Sequence, residues 1–292
     1  MKYIWYRLLW NLAPFLPKGK LLHLDLELNT ACNQSCLSCW HNKGFKNETM
    51  LIKDAYDHLE WGAKIGLKSV KFNLRGEPLL CNYLKNIVSY AKFLGYVDIM
   101  INTNGILLDK VKILELNKAG LTKCIISVDS YDRDTYCTLH NCTETHFKAL
   151  QENLHTLYEM RNDLKFKVIL NFHINRMNLK ELSKIVAQLY SKTFKCVVRF
   201  TEKRKGKDIA LKKKPRIRKK SCPHMKRRIT ITSNGKFYPC CVCYDEPKDI
   251  LLNEYMNTDE NIIANRDYLI ERYSRGLFGE TCKSCTSGDI WE

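Results

Sequence analysis

Apolar and polar residues alternate near the start of the chain, and a helical repeat follows them. Leucine recurs at every second position from Leu22 to Leu28 within LLHLDLELN, which is typical of a β-strand. The following stretch, MLIKDAYDHLEWGAKIG, has apolar residues at helical spacing and ends at Gly66, a common helix stop. The two patterns together predict a first strand–helix unit.

The same succession of patterns continues along the chain. Further strand-like segments cover residues 68–74, 97–103, 123–128, 165–172 and 195–200, and helix-like segments follow most of them. Consecutive strands joined by helices run parallel with right-handed crossovers. Two or three such units can form an open sheet, whereas six with short connections favour a curved one. We therefore predict an α/β fold whose core, residues 21–201, is a partial (β/α)6 TIM-type barrel.

Residues 1–20 are predicted to form an N-terminal helical extension. The segment Tyr3–Phe15 is rich in apolar and aromatic residues, but it is too short to cross a bilayer and ends in no small-residue cleavage site. Two interpretations stay open. The helix either packs on the main domain or lies on a membrane surface.

The net charge of +17 is concentrated in one stretch. Residues 203–228 hold fourteen Lys and Arg side chains against a single acid, Asp208. Such a block suits phosphates of a nucleic acid or of a phosphorylated substrate. It also suits a solvated linker, because like charges repel, and it lacks interleaved aromatic residues for base stacking. We assign residues 202–221 to a basic linker.

Residues 222–292 have a different character. ITITSNGKFYPCC predicts a β-hairpin with Asn234-Gly235 as its turn, and DENIIANRDYLIERYSRGLF predicts a helix. The segment is too small to bury a large core alone, so cysteines around a metal are expected to stabilise it.

The chain has fourteen cysteines and no recognisable secretory signal, which favours the cytosol and metal binding over disulfides. Three of them, Cys32, Cys36 and Cys39, lie within eight residues directly after the first strand. A disulfide cannot use three thiols, and zinc usually takes paired C-x2-C knuckles or a Cys/His mixture. Three soft thiolates suit a cubic iron–sulfur cluster that leaves one iron without a protein ligand.

This C-x3-C-x2-C loop resembles the signature of radical S-adenosylmethionine (SAM) enzymes. The resemblance implies that the three cysteines hold a [4Fe-4S] cluster whose fourth iron binds SAM. The reduced cluster would cleave SAM to a 5′-deoxyadenosyl radical, with flavodoxin or ferredoxin as electron donor. An aromatic residue often precedes the third cysteine in this family; here Ser38 does, and Trp40 follows, so Trp40 is the candidate for adenine contact.

Polar residues after the next strands also resemble elements of this family. Arg75-Gly76-Glu77-Pro78 is similar to the GGEP element, with Arg75 in place of the first glycine, and Glu77 would face the methionine ammonium group. Candidate contacts to ribose or the SAM carboxylate follow the third and fourth strands: Asn102, Thr103, Asn104, Ser127 and Asp129. Loop capping is the alternative role for these side chains.

The C-terminal cysteines resemble the auxiliary-cluster "twitch" domain, a short form of the SPASM domain. The set comprises Cys222, Cys240, Cys282 and Cys285. Four thiolates would complete a second [4Fe-4S] cluster with no open iron. Cys241 or Cys243 can replace Cys240 as the second ligand, and a structural zinc site is the alternative to a cluster.

We therefore expect a cytoplasmic radical SAM enzyme that abstracts hydrogen from a small polar metabolite, such as a sugar, a cyclitol or a nucleobase, with the auxiliary cluster as electron acceptor. Only thirty-one residues precede Cys32, which leaves little room for a domain that binds a leader peptide. Peptide maturation, or a tRNA-linked or phosphorylated substrate, is the alternative within the family. A zinc-stapled nucleic-acid-binding protein is the alternative of a different class.

Overall fold

One sheet of eight strands organises the molecule. The computed structural model describes residues 2–39, 46–185, 194–200, 222–253, 259–283 and 285. The strands are β1 (His23–Leu26), β2 (Ser69–Lys71), β3 (Asp98–Thr103), β4 (Lys123–Ser127), β5 (Lys167–Ile174), β6 (Lys195–Phe200), β7 (Arg228–Ile231) and β8 (Phe237–Tyr238). Their order in the sheet is β6-β5-β4-β3-β2-β1-β7-β8, and the described strands do not close into a full barrel. The prediction of a partial parallel barrel is confirmed.

Helices connect the strands in the predicted succession. They are α1 (Lys2–Leu12), α2 (Ile52–Lys64), α3 (Leu84–Phe93), α4 (Lys110–Ala119), α5 (Arg133–His140), α6 (Glu144–Glu159), α7 (Asp259–Ser274) and α8 (Glu280–Lys283). The helix predicted after β5 begins with a 3-10 turn at Leu179–Glu181, and residues 186–193 of that segment lie outside the described part of the chain. The basic linker, 202–221, lies outside it as well.

Strand β1 is buried on both faces, although its sequence alternates. Leu24 lies near Gly62 of α2, so the leucine face of the strand packs on the helical layer. The opposite face carries Asp25, whose carboxylate lies 3.2 Å from Lys71 Nζ and accepts a hydrogen bond from Arg228 at 3.0 Å. Burial raises the pKa of Asp25, but the two cations outweigh it and hold that pKa well below its usual range. The inner face of the sheet is therefore polar and charged.

The C-terminal hairpin extends the main sheet rather than standing apart from it. β7 pairs in parallel with β1 from His23↔Arg228 to Leu26↔Ile231, and β8 pairs antiparallel with β7. Apolar side chains of the hairpin and of α7 belong to the same buried cluster as those of the barrel strands. The sequence predicts the hairpin and the helix but not their union with the barrel core. The boundary at residue 222 stays a prediction.

The N-terminal extension is helical, as expected, and covers the amino ends of the strands. Tyr6 donates a hydrogen bond to Ser69 Oγ at the start of β2, at 2.9 Å. Tyr6 and Ala13 form a small apolar cluster with Leu22, and Trp10 packs against it. Among the helices that the structure describes, none is long and apolar enough to cross a membrane.

Candidate active site

The three-cysteine loop begins and ends on a short antiparallel stem. Asn29 bridges to Thr49, and the Thr30 backbone N–H donates to the Glu48 carbonyl at 2.9 Å. The Thr30 hydroxyl donates to the Lys46 carbonyl at 2.7 Å and accepts from the Glu48 N–H at 2.8 Å. This stem closes the loop at the carboxyl end of β1, where parallel α/β sheets place their chemistry.

Neighbouring loops fix the cysteine loop from two sides. The Glu77 N–H donates to the Ala31 carbonyl at 2.8 Å, and Asn104 Nδ2 donates to Asn33 Oδ1 at 2.6 Å. Gly76 lies so close that a β-carbon there would be 2.3 Å from Asn29 Oδ1. The GGEP-like loop therefore needs glycine at this position because it packs directly on the cysteine loop.

Helix α5 holds the far side of the same loop. Gln34 Nε2 donates to the Tyr136 hydroxyl at 3.1 Å, and the Leu37 N–H donates to the Leu139 carbonyl at 2.8 Å. His140 Nδ1 lies 3.1 Å from Cys36 Sγ. The sequence patterns did not reveal this helix, and so they missed His140 as a neighbour of the cysteines.

Burial disfavours the free thiolates of Cys32 and Cys36. Burial raises the pKa of Cys32 to about 11, and the pKa of Cys36 is also well above its ordinary value for the same reason. Reactive cysteines show the opposite shift, because nearby positive charge stabilises their thiolates. Bound iron would supply that charge, so the environment suits metal ligands better than a nucleophile.

The contact of Glu77 with the methionine ammonium group stays a prediction. The Glu77 carboxylate is buried. Its oxygens accept hydrogen bonds from the Leu79 N–H at 3.0 Å, the Thr103 hydroxyl at 2.7 Å and the Asn104 N–H at 2.8 Å. Burial raises the pKa of Glu77 to about 7, although these three donors act in the other direction. Glu77, Thr103 and Asn104 therefore tie the loops after β2 and β3 together.

Asp129 has a similar linking position after β4. Its Oδ1 accepts the His173 N–H at 2.7 Å, and its Oδ2 lies 3.5 Å from His140 Nε2. The backbone at Asp129 is left-handed, with φ of 58°, and Asn178 Nδ2 donates to its carbonyl at 2.6 Å. Asp129 thus links β5 to α5 and, through His140, to the cysteine loop. Ser127, the last residue of β4, pairs with Asn171 of β5 and is half-buried.

Three asparagines leave buried carboxamide oxygens on the inner face of the sheet. Asn102 of β3 was predicted as a site residue, and the structure adds Asn73 after β2 and Asn171 of β5. Within the described part of the chain, the Oδ1 atom of each has no hydrogen-bond partner. Side chains alternate between the two faces of a sheet, and the register of the paired strands places all three asparagines on the same face as Asp25. Buried polar atoms are normally paired, so these oxygens mark a place for a polar ligand.

Four C-terminal cysteines line one small cavity. They are the predicted set Cys222, Cys240, Cys282 and Cys285. Cys241 and Cys243, the alternatives for the second ligand, do not line the cavity, and the ligand set stays a prediction. Cys241 Sγ instead accepts a hydrogen bond from Arg228 at 3.3 Å.

Both predicted donor sets consist of thiolates, the ligand type that iron–sulfur clusters take. Among the described residues, no three Cys, His, Asp or Glu side chains converge closely enough to hold one metal ion. All fourteen cysteines lie in the described part of the chain, and none forms a disulfide. Trp40, the candidate adenine contact, lies outside the described residues.

Comparisons with known proteins agree with this arrangement. A family model described as "Radical SAM superfamily" matches residues 26–189. The probable GTP 3′,8-cyclase of Saccharolobus solfataricus is 33% identical over 165 residues, which cover 56% of this chain and 51% of that protein. The chain thus spans about half the length of that relative. The GTP 3′,8-cyclase of Clostridium acetobutylicum is 25% identical over 300 residues, covering 89% of this chain and 90% of the relative.

Solved structures share the fold at low sequence identity. BtrN in complex with AdoMet and 2-DOIA has a TM-score of 0.56 at 17% identity, covering 91% of this chain and 93% of BtrN. SuiB of Streptococcus suis has a TM-score of 0.66 at 16% identity, covering 92% of this chain and 73% of SuiB. The family match, the parallel sheet and the three-cysteine loop at its carboxyl edge lead to one conclusion: the chain belongs to the radical SAM superfamily and is an enzyme that uses a [4Fe-4S] cluster and SAM.

Proposed function

We propose that the enzyme abstracts a hydrogen atom from a small polar metabolite of the sugar, cyclitol or nucleobase type. The observation that carries this proposal is the set of unpartnered carboxamide oxygens of Asn73, Asn102 and Asn171 on the inner face of the sheet. A substrate that offers hydroxyl or amine donors satisfies these oxygens, whereas an apolar substrate leaves them buried and unpaired. Each unpaired group would cost about 1–3 kcal/mol.

Cys32, Cys36 and Cys39 would hold the first cluster, and the open iron would take SAM. When bound there, the reduced cluster would supply the electron for reductive cleavage of SAM, the chemistry that leads to hydrogen abstraction from the substrate. The protein itself positions the loops around the SAM site. Glu77 and Asn104 lock the loops after β2 and β3 against the cysteine loop, so that SAM has a fixed frame on two sides.

Cys222, Cys240, Cys282 and Cys285 would hold a second cluster. With four thiolate ligands it would have no iron open to substrate, so it suits electron transfer rather than substrate binding. It would supply an acceptor for the electron left on the substrate after hydrogen abstraction. The net reaction is then an oxidation of the substrate.

A nucleotide is the second candidate substrate. The relatives named GTP 3′,8-cyclase support it, and so does the basic character of the chain, with a net charge of +17. Peptide modification and action on a tRNA-linked substrate rest on fold likeness and charge alone. Nothing in the described site favours them over a small molecule.

The test of the radical reaction is anaerobic incubation of the reconstituted enzyme with SAM and dithionite. We expect 5′-deoxyadenosine and methionine in equal amounts, and their loss in Cys36→Ala. Cys196→Ala, which removes a cysteine of β6 away from the loop, is the matched control and is expected to stay active. Absence of 5′-deoxyadenosine from the iron-loaded wild type would contradict the proposal.

The substrate class is tested by deuterium transfer. Candidate cyclitols, sugars, nucleosides and GTP carrying deuterium at carbon are incubated with enzyme and SAM, and deuterium in 5′-deoxyadenosine is measured by mass spectrometry. Transfer from one of these is expected, with Asn102→Leu and Asn171→Leu weakening it through a higher KM. Transfer from none of these candidates by an enzyme that cleaves SAM would count against the small-molecule assignment.

A further inference from the structure

Helix α1 exposes a second apolar face that the fold does not use. Ile4 and Trp5 are 64% and 65% exposed, and Leu8 and Leu12 follow one and two turns later on the same side. Phe15, just beyond the helix, is 85% exposed. This exposed stripe, from Ile4 to Phe15, is a continuous surface rather than scattered single residues, and such surfaces mark interaction sites.

The stripe lies opposite the face that anchors the helix. Tyr6 and Ala13 are buried against Leu22, and Arg227 stacks on the Trp10 ring with its guanidinium carbon 4.3 Å from the ring centroid. The helix is therefore held in place by one apolar face while the other faces outward. An ordinary surface helix has a polar outer face, so this one has an unusual surface.

The residues up to Leu24 include several cations and no acidic residue. The first acidic residue of the sequence is Asp25, whereas Lys2, Arg7, Lys18 and Lys20 all precede it. Lys226 adds another cation at the end of the stripe, because its Nζ donates to the carbonyls of Pro14 and Leu16 at 3.0 Å. Exposed Trp, Leu and Phe residues among cations match the boundary of an anionic bilayer.

We propose that the exposed stripe of α1 docks the enzyme on an anionic lipid surface, as a peripheral contact. Trp5, Leu8 and Phe15 would enter the headgroup boundary while the flanking Lys and Arg side chains meet lipid phosphates. α1 covers the amino ends of the strands, through Tyr6 and Ser69, and the cysteine loop lies at the carboxyl ends. Docking therefore leaves the active-site end of the sheet facing away from the membrane.

The test is flotation of the full, iron-loaded protein with vesicles of phosphatidylcholine, with or without phosphatidylglycerol. Binding is expected only to the vesicles that contain phosphatidylglycerol, and added salt is expected to weaken it. The variant Trp5→Ser/Phe15→Ser is expected to bind about tenfold more weakly, because it loses the two largest apolar anchors.

Two residues elsewhere supply a matched control. Tyr268 of α7 and Phe93 of α3 are 63% and 81% exposed, close to Trp5 and Phe15, so Tyr268→Ser/Phe93→Ser removes similar exposed rings. This control is expected to bind like wild type, and SAM cleavage is expected to stay intact in both double variants. No vesicle binding by the wild type, equal binding to neutral vesicles, or equal loss in both variants would overturn the proposal. Sedimentation velocity tests for a dimer in the absence of lipid. A dimer that dissociates in Trp5→Ser/Phe15→Ser would instead assign the stripe to contact with a second copy of the chain.

Discussion

At Gly76 the backbone of one loop touches the backbone of another. A β-carbon there would lie 2.4 Å from the Asn29 carbonyl oxygen and 2.8 Å from the Ala31 carbonyl oxygen. Backbone atoms cannot move aside as a flexible side chain can. Gly76→Ala is therefore expected to lower the free energy of unfolding by about 3 kcal/mol and to reduce iron incorporation, because it displaces the start of the cysteine loop. Urea unfolding and iron analysis measure the two effects.

Gly66 separates this steric clash from the general cost of replacing glycine. Gly66 has a φ of 88°, but no atom lies within 4 Å of its missing β-carbon. Gly66→Ala should cost about 1 kcal/mol through the left-handed backbone alone and should leave iron content unchanged. Equal losses in the two variants would show that the contact between the loops contributes nothing.

Glu77 gives the stability of the site a pH dependence. Burial raises its pKa from 4.5 to about 7, so the folded protein holds this proton more tightly than the unfolded chain does. Stability from this group is fully present below pH 4.5 and is lost as the pH rises through about 7. Glu77→Gln removes the titration.

The measurement compares wild type with Glu77→Gln by anaerobic urea unfolding. The wild type is expected to lose about 2 kcal/mol relative to the variant between roughly pH 5.5 and 7.5. A difference in stability that stays constant over this range would show that Glu77 remains ionised throughout.

At the scale of elements, Arg75 joins three parts of the fold. It donates to both carboxylate oxygens of Glu27, which follows β1, and to Glu246 Oε1 at 2.9 Å, beyond the hairpin. Glu27 also accepts the Ser233 N–H of the hairpin turn at 3.0 Å. The residue that departs from the family's glycine thus connects the SAM-side loop to the C-terminal segment.

Arg75→Met is expected to destabilise the protein by about 3 kcal/mol, because it leaves the buried Glu27 carboxylate without its cation. Arg75→Met/Glu27→Leu should recover part of that loss, since no unpaired charge then remains. Arg133→Met removes an arginine whose partner Asp134 is exposed, and it should leave the urea midpoint nearly unchanged. If Arg75→Met behaves like Arg133→Met, the ion pair is not a structural link.

The sequence predicted those elements whose periodicity is local. The alternating leucines were sufficient to predict β1, and the Asn-Gly turn was sufficient to predict the hairpin. It did not predict α5, because eight residues with polar character give a weak helical pattern, and it therefore missed His140. Nor did it predict that Thr103 and Asn104 donate hydrogen bonds to Glu77, since hydrogen bonds between loops depend on tertiary distances that spacing does not encode.

At the scale of the whole molecule, two thiolate sets lie on one continuous core. β7 pairs with β1, whose carboxyl end leads into the three-cysteine loop, while the four-cysteine cavity lies at the end of the hairpin and beside α8. Each set draws its ligands from separate parts of the chain, so either is expected to keep its cluster when the other is lost.

Cys282→Ala is accordingly expected to lower iron from about eight to about four atoms per chain, whereas Cys81→Ala, which removes another buried thiol, keeps all of it. The electron paramagnetic resonance spectrum of the reduced Cys282→Ala protein should still change when SAM is added, because the cysteines of the first loop are untouched.

Cys36→Ala should show the reverse pattern: about four irons and no response to SAM. Loss of all iron from either variant would mean that the two sets do not load independently. Full iron content in Cys282→Ala would remove the cavity from consideration as a cluster site, and the electron left by hydrogen abstraction would then need an acceptor outside this chain.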